Sequence, residues 1–425
     1  GNVVLGEFLP KKPANKLGQW DKLIALNPFH PFTHQKLTRI REIFETSPFN
    51  TYTGPESPEL LILTSGTGGF YSREAVSRMG LSEQVGILKL GTTCPLPGKL
   101  VKSYLEKCPR VLVVEEVDPF LEQNVMVLTA QEEMPVKFFG KASGHIKGPG
   151  GSGTGELNPD AVMDGLEAVL GVPRPSRNEV VVDPEKDIAI PARDLTFCAG
   201  CPHRASFFAT KNALEIDGRQ GVVMGDIGGY TMGGAKAGHF LLSSLFCMGG
   251  GIGMASGMGK LEQFGFDQPV LAMAGDSTFF HACLPALVNA KWNNSKLLFL
   301  ILDNEATAMT GFQPHPGTGQ TAMGEKGRPF SIEGICQAMG ADVYITDPYD
   351  VAATTETIYQ LIQQPGVKVL ILRRTCALVQ SRRGPKARVW VEQEKCLGDA
   401  CGCGRFCSKV FGCPACIWDA EAGKA

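Results

Sequence analysis

The chain has 425 residues, 43% hydrophobic and 20% charged, enough for roughly two or three domains with apolar cores. Lys plus Arg number 41 against 43 Asp plus Glu, a net charge of −2 that lacks the basic footprint of a nucleic-acid binder. No apolar run approaches the ~20 residues that span a bilayer, and the opening GNVVLGEFLPKKP has no signal-peptide core, so a soluble cytoplasmic protein is expected.

Residues 1–55 carry Pro28, Phe29, Pro31, Phe32 and Pro48 around one short helical pattern, LTRIREIF, and read as a connecting segment. Over 56–140 the pattern alternates: LLILTSG as a strand, SREAVSRMG as a helix, VGILKLG as a strand, GKLVKSYLEK as a helix and RVLVVEE as a strand. This order predicts a parallel α/β domain. The glycine-rich TSGTGGFYSREA lacks a Walker lysine and a full dinucleotide fingerprint, and reads as a close strand-to-helix turn. Residues 141–190, rich in Gly and Pro around one helical pattern, AVMDGLEAVLG, read as a linker. A second α/β domain is expected over 191–385, with strands GVVMGDIG, PVLAMAGD, KLLFLILDN and VKVLILRR. Residues 386–425 form a cysteine-rich tail with too few large apolar residues for a core of its own, so a metal is expected to hold it together.

Gly275-Asp276-Ser277 and Asp303-Asn304 each follow an apolar strand, with one helical stretch, FFHACLPALVNAKW, between them. A right-handed βαβ crossover brings both polar ends to the carboxyl edge of one sheet. A carboxylate, an amide oxygen and a backbone carbonyl are hard ligands, and a diphosphate would complete octahedral magnesium. Either element alone is an ordinary N-cap or turn; the pairing favours a site.

Cys198-x-x-Cys201-Pro-His203 is ambiguous among a zinc knuckle, a redox dithiol and an iron–sulfur motif. Six of the fourteen cysteines fall between Cys396 and Cys416, and Cys396-x4-Cys401-x-Cys403-x3-Cys407-x5-Cys413-Pro414 indicates metal, with a zinc ribbon as the rival.

GDS followed by DN after 25 intervening residues resembles the thiamine diphosphate motif. DNEATAMTGFQPHPGTGQ is similar to a segment of the indolepyruvate ferredoxin oxidoreductases, in the 2-oxoacid:ferredoxin oxidoreductase superfamily, and the resemblance covers nearly the whole chain. It implies that Asp276, Asn304 and the Ala306 carbonyl bind magnesium, and that Gly275 and Ser277 approach the diphosphate. It also implies cofactor contacts from Met309, Thr310 and Gly311, and from Gly225, Asp226, Tyr230, Met248 and Gly249. The two α/β domains would be transketolase C-terminal-like and thiamine diphosphate-binding, and the tail a partial ferredoxin-like domain. VVEEVDPFLE resembles a segment of the same enzymes, and Glu115 and Glu116 within it read as surface or interface charges.

The resemblance makes Cys198, Cys201 and Cys376 ligands of a proximal cluster, but Gly229 occupies the position of the expected third cysteine. That leaves open a three-iron cluster, a four-iron cluster with a foreign ligand, or none. Asp226 and Cys247 are candidate substitutes, although Cys247 fits a cofactor contact better. In the tail, Cys396, Cys401, Cys403, Cys407 and Cys413 resemble a 4Fe–4S domain with an altered first motif, in which Cys413 would serve a second cluster. Whether Cys401 or Cys403 ligates is open.

The family reaction implied is oxidative decarboxylation of an aryl 2-oxoacid to an acyl-CoA, with electrons passing through the clusters to ferredoxin. The activating glutamate is expected on a pyrimidine-binding domain, in a partner chain or in a segment ahead of residue 1. A hetero-oligomer with that chain and a small gamma- or beta-type subunit follows, and the chain alone is expected to be inactive. The absent initial Met and the cysteine cluster near the end fit a piece of a longer polypeptide. A non-redox thiamine diphosphate decarboxylase and an electron-transfer or scaffold subunit are the rival readings.

Overall fold

The structure, a computed structural model, describes residues 29–148, 151–175, 195–384, 390–392, 394–415 and 418–424. These fall into two compact units, within Gly1–Ile188 and Ala189–Ala425. Among the described residues no helix is long and apolar enough to cross a membrane.

In the first unit α1 (Phe29–Phe44) precedes β1 (Thr51–Thr53), followed by β2 (Leu60–Ser65), α2 (Gly68–Arg78), β3 (Val85–Leu90), α3 (Gly98–Lys107), β4 (Arg110–Val114), α4 (Phe120–Gln131), β5 (Lys137–Phe139) and α5 (Pro159–Leu170). The sheet order is β1-β3-β2-β4-β5, parallel except for β1. Both faces are covered: Leu60 and Ile62 pack toward one layer, Leu61 and Leu63 toward the other. This explains why the inner strands are continuously apolar rather than alternating. The glycine-rich turn after β2 is close packing, since a Cβ on Gly68 would lie 2.7 Å from Val114 O.

Three expectations are corrected here. The end of the 1–55 segment is part of the sheet: β1 pairs antiparallel with β3, and Tyr52 stacks on Tyr104 at 4.6 Å. The described part of the 141–190 segment is not merely a linker, because Ile146, Leu157 and the Ala161, Val162, Met163 and Leu166 side of α5 close one face of the core. Asn158 caps α5 by accepting the Ala161 N–H at 2.9 Å, and Gly171 ends it in the left-handed conformation. Residues 176–190 lie outside the described residues. Finally, Glu115 is buried, and its carboxylate accepts the Leu121 and Glu122 N–H groups at 2.6 and 2.8 Å, capping α4 from outside the helix. Glu116 accepts the Leu157 N–H at 3.0 Å.

The second unit contains α6 (Pro202–Asp217), β6 (Val222–Met224), α7 (Gly250–Met258), β7 (Val270–Gly275), α8 (Asp276–Thr278), a π-helical turn (Phe279–Cys283), α9 (Leu284–Trp292) and β8 (Leu297–Asp303). It continues with α10 (Ile332–Ala338), β9 (Asp342–Thr346), α11 (Val351–Ile362), β10 (Val367–Arg373) and α12 (Ala377–Arg383). The sheet is wholly parallel, in the order β6-β7-β8-β10-β9. Strands β7 and β8 are buried along their whole lengths. The half-exposed edge strand β9 has no such apolar run, which hid it from pattern reading. In the tail, Phe406 and Phe411 pack on Phe208 of α6 at 5.6 and 5.4 Å, so its described part leans on the unit beneath it.

Glu115→Ala leaves two buried amides without an acceptor. It is expected to lower the stability of the first unit by about 2 kcal/mol, read as an earlier transition in urea, and Glu115→Gln to lower it less.

Candidate functional site

The chain orders β6, β7 and β8 side by side, then crosses to the far edge for β9 and returns with β10 beside β8. The register holds Gly275 opposite Leu302, and Asp303 opposite Arg373, so β7, β8 and β10 end level. Asp226, Asp276, Asn304 and Cys376 therefore all emerge along one carboxyl edge, where doubly wound sheets place ligands. A cavity of about 340 Å³ opens there. Asp276, Ser277 and Asn304 make a polar end joined by hydrogen bonds, and Thr310 also lines the cavity; the rest is largely apolar, with Met232, Met248, Leu302, Met309, Phe312 and Leu378.

The polar end is held by hydrogen bonds. Asp276 Oδ2 accepts the Asn304 N–H at 3.1 Å and Oδ1 accepts the Ser277 N–H at 2.8 Å, joining the ends of β7 and β8. Asn304 Oδ1 accepts the Ala306 N–H at 3.1 Å, and its amide nitrogen lies 3.1 Å from His203 Nε2. Burial pushes the His203 imidazole down to about 4, against a smaller upward pull from Asp276. Neutral His203 can accept at Nε2 and so orient the Asn304 amide. His315 Nδ1 accepts the Gly317 N–H at 3.2 Å, and its ring stacks on Phe280. Its Nε2 lies 3.1 Å from Asp276 Oδ2 but without hydrogen-bond alignment, leaving a buried polar atom unpartnered at the site.

Behind this layer Asp226 is fully buried and accepts the Ile227 and Gly249 N–H groups, both at 2.7 Å, and the Tyr230 hydroxyl at 3.3 Å. Burial raises its carboxyl above the usual range, opposed by those donors. Tyr230 also contacts Thr278 Oγ1 at 3.2 Å, and its ring explains Gly275: a Cβ there would lie 2.7 Å from the ring edge.

Of the residues anticipated from sequence, Tyr230, Met248, Gly275, Asp276, Ser277, Asn304, Ala306, Met309 and Thr310 line the cavity, as do Cys198, Cys201 and Cys376. Gly225, Asp226, Gly249 and Gly311 do not; Asp226 and Gly249 brace each other, and Gly311 sits in a turn at φ 118°. Gly229 lines the cavity beside His203. Of the two candidate substitutes for a cysteine there, the Asp226 carboxylate is engaged by three donors, and the exposed Cys247 is not among the lining residues. Burial pushes the Cys201 thiol up to about 11. Cys396, Cys403, Cys407 and Cys413 lie outside the cavity, and the Cys401 side chain lies outside the described residues. Among the described residues no three His, Cys, Asp or Glu side chains are gathered to hold a single metal ion as they stand. The His203 and His315 contacts were missed by sequence reading; the only signal was that each adjoins a motif, CPH and QPHPG.

The model of the thiamine pyrophosphate enzyme C-terminal TPP-binding domain matches residues 226–372. Indolepyruvate oxidoreductase subunit IorA of Pyrococcus horikoshii is 36% identical, over 100% of this chain and 67% of that protein. The Thermococcus kodakarensis subunit is 35% identical over 100% of this chain and 67% of its own length, and that of Archaeoglobus fulgidus 32% over 99% and 66%. The chain belongs to the IorA family. It is therefore a subunit of a thiamine diphosphate-dependent oxidoreductase, spanning about 67% of the length of its Pyrococcus relative. A solved 2-oxoglutarate:ferredoxin oxidoreductase from Magnetococcus marinus aligns at 16% identity over 44% of this chain and 66% of that chain, with a TM-score of 0.37, too low to carry an argument.

In this IorA-family chain the strand ends that carry the site are also tied by Arg373, which donates to Asp303 at 2.7 Å and to Glu333 of α10 at 2.6 Å. The Arg373 hydrogen bond holds the Glu333 carboxyl down at about 2, below its ordinary 4.5. A depressed carboxyl contributes stability above its ordinary value and loses it as pH falls toward the folded value. Glu333→Gln should thus be less stable by about 1–2 kcal/mol near neutrality, a figure discounted for partial exposure. In a urea series at falling pH the gap to wild type should close between 4.5 and about 2.

Proposed function

We propose that this subunit binds the diphosphate end of thiamine diphosphate through a magnesium ion held by Asp276, Asn304 and the Ala306 carbonyl. The observation that carries this reading is the hydrogen bond from the Asn304 backbone N–H to the Asp276 carboxylate, which brings together two residues with hard-oxygen side chains at the ends of adjacent strands in a largely apolar cavity. The unpartnered His315 Nε2 beside Asp276 adds a buried donor suited to an anion. Gly275 and Ser277 suit close approach of a phosphate, while Met248, Met309 and Thr310 suit contact with the rest of the cofactor. Bound thiamine diphosphate supplies the nucleophilic carbon and electron sink for 2-oxoacid decarboxylation; this chain orients it, excludes water with its apolar wall and keeps His203 neutral beside Asn304.

The proposed substrate is an aryl 2-oxoacid of the indolepyruvate kind, as the relatives' names suggest, converted to an acyl-CoA with ferredoxin as electron acceptor. Partners are a chain or segment carrying the pyrimidine-binding domain with its glutamate, and a small second subunit, in the cytoplasm. Cys198, Cys201 and Cys376 are proposed to hold a proximal iron–sulfur cluster, and Cys396, Cys401 or Cys403, Cys407 and Cys413 a ferredoxin-like tail. A four-iron cluster takes one thiolate per iron, so its cysteines stand farther apart than the ligands of one ion, consistent with three thiols that line one cavity. Gly229 leaves the fourth position without a protein ligand.

Asp276→Ala should weaken magnesium-dependent thiamine diphosphate binding by at least about 100-fold, and His203→Ala by about 10–100-fold, in calorimetric titrations; unchanged affinity for Asp276→Ala would sink the reading. A Cβ added at Gly229 would have His203 Cδ2 at 3.9 Å, an ordinary contact. Gly229→Cys is therefore expected to fold and to raise the iron retained per chain in anaerobic preparations, measured by iron assay and visible absorption. Absence of iron from both proteins would overturn the cluster assignment.

A further inference from the structure

Arg204, in the first turn of α6, is only 1% exposed. Its Nη1 donates to Phe411 O at 2.8 Å and Gly412 O at 2.5 Å, and its Nη2 donates to Thr196 Oγ1 at 3.1 Å and to Phe197 O. The guanidinium lies between the rings of Phe197 and Phe411, at 5.6 and 5.9 Å. It thus ties together the peptide carbonyls immediately before two cysteines far apart in sequence: Phe197 precedes Cys198, and Gly412 precedes Cys413.

These acceptors engage Nη1 and Nη2, while Nε is buried with no hydrogen-bond partner; they do not neutralise the guanidinium, and an uncompensated buried charge is costly. Its hydrogen bonds set it against the peptides that lead into Cys198 and Cys413. Arginine remains protonated in proteins, so an anionic centre held at those cysteines is a fitting counter-charge.

We propose that Arg204 is the positioning residue that docks the Cys413 end of the tail onto the Cys198–Cys201 motif, and supplies a positive charge shared by the thiolate-bearing centres on both sides. This rests on the iron–sulfur reading above. Lysine would keep the charge but could not reach all three carbonyls and the Thr196 hydroxyl with a planar fork, while methionine would keep only the apolar stem. The two roles can therefore be separated.

The test uses the assembled holoprotein with Arg204→Lys and Arg204→Met. Hydrogen exchange is followed at the Cys413 amide, which donates to Cys407 O at 2.7 Å, and midpoint potentials are taken from a reductive titration monitored by electron paramagnetic resonance. Both variants should exchange roughly tenfold faster or more at Cys413. Reduction adds one negative charge to a centre, so removing the nearby cation in Arg204→Met should move the midpoint to more negative potential, whereas Arg204→Lys should stay near wild type. Far-UV circular dichroism identifies folded variants, and Arg204→Lys decides the docking should Arg204→Met fail to fold. Iron-containing variants with wild-type exchange and potential overturn this assignment alone; a wild-type holoprotein without iron overturns the iron–sulfur reading and the shared charge with it.

Discussion

The site depends on parallel strands ending level. Because β7 and β8 run in register to Gly275 and Leu302, the peptide after β8 meets the carboxylate after β7, and one hydrogen bond joins Asp276 to Asn304. A slip of one residue would turn every strand side chain to the opposite face, burying the wrong set and parting these two groups. The apolar residues of β7 and β8, each buried on both sides, hold that register far more strongly than the polar contacts could. Core packing thus positions chemistry at the residue that follows each strand.

Around this pairing the fold surrounds polar groups with fixed partners rather than water. Asp226 is supported by two backbone donors and a tyrosine, His203 is held neutral against Asn304, and Arg373 ties the end of β8 to α10. A ligand entering such a site meets dipoles already oriented, so little ordering remains to oppose binding. The same logic at Arg204 gives a buried cation four fixed acceptors, from Thr196, Phe197, Phe411 and Gly412.

The buried strands and the paired polar ends were legible in the sequence, because two all-apolar runs ending in GDS and DN with one helical stretch between them form a pairing that neither turn makes alone. What stayed hidden has physical causes. Three-residue β1 and half-exposed β9 carry too little apolar signal, and the Gly/Pro-rich stretch before α5 concealed Ile146 and Leu157 at isolated positions that only the sheet brings together. Glu115 was read as a surface charge because its two amide partners lie in the following turn, where spacing alone does not show burial. His203 and His315 reach Asn304 and Asp276 across long stretches of chain, a relation that no local pattern encodes.

The π-helical turn at Phe279–Cys283 separates two helical segments with different duties: Asp276–Thr278 face the cavity and Tyr230, while Leu287 and Ala290 of α9 pack in the core. Each residue of an α-helix advances about 100° around the axis. The widened turn therefore acts as a phase adjuster, letting the first segment aim its carboxylate without rotating the second out of the core. Deleting one residue there to regularise the helix would force the protein to misplace one face or the other, so the length of this segment is set by the site and the core jointly rather than by helical preference.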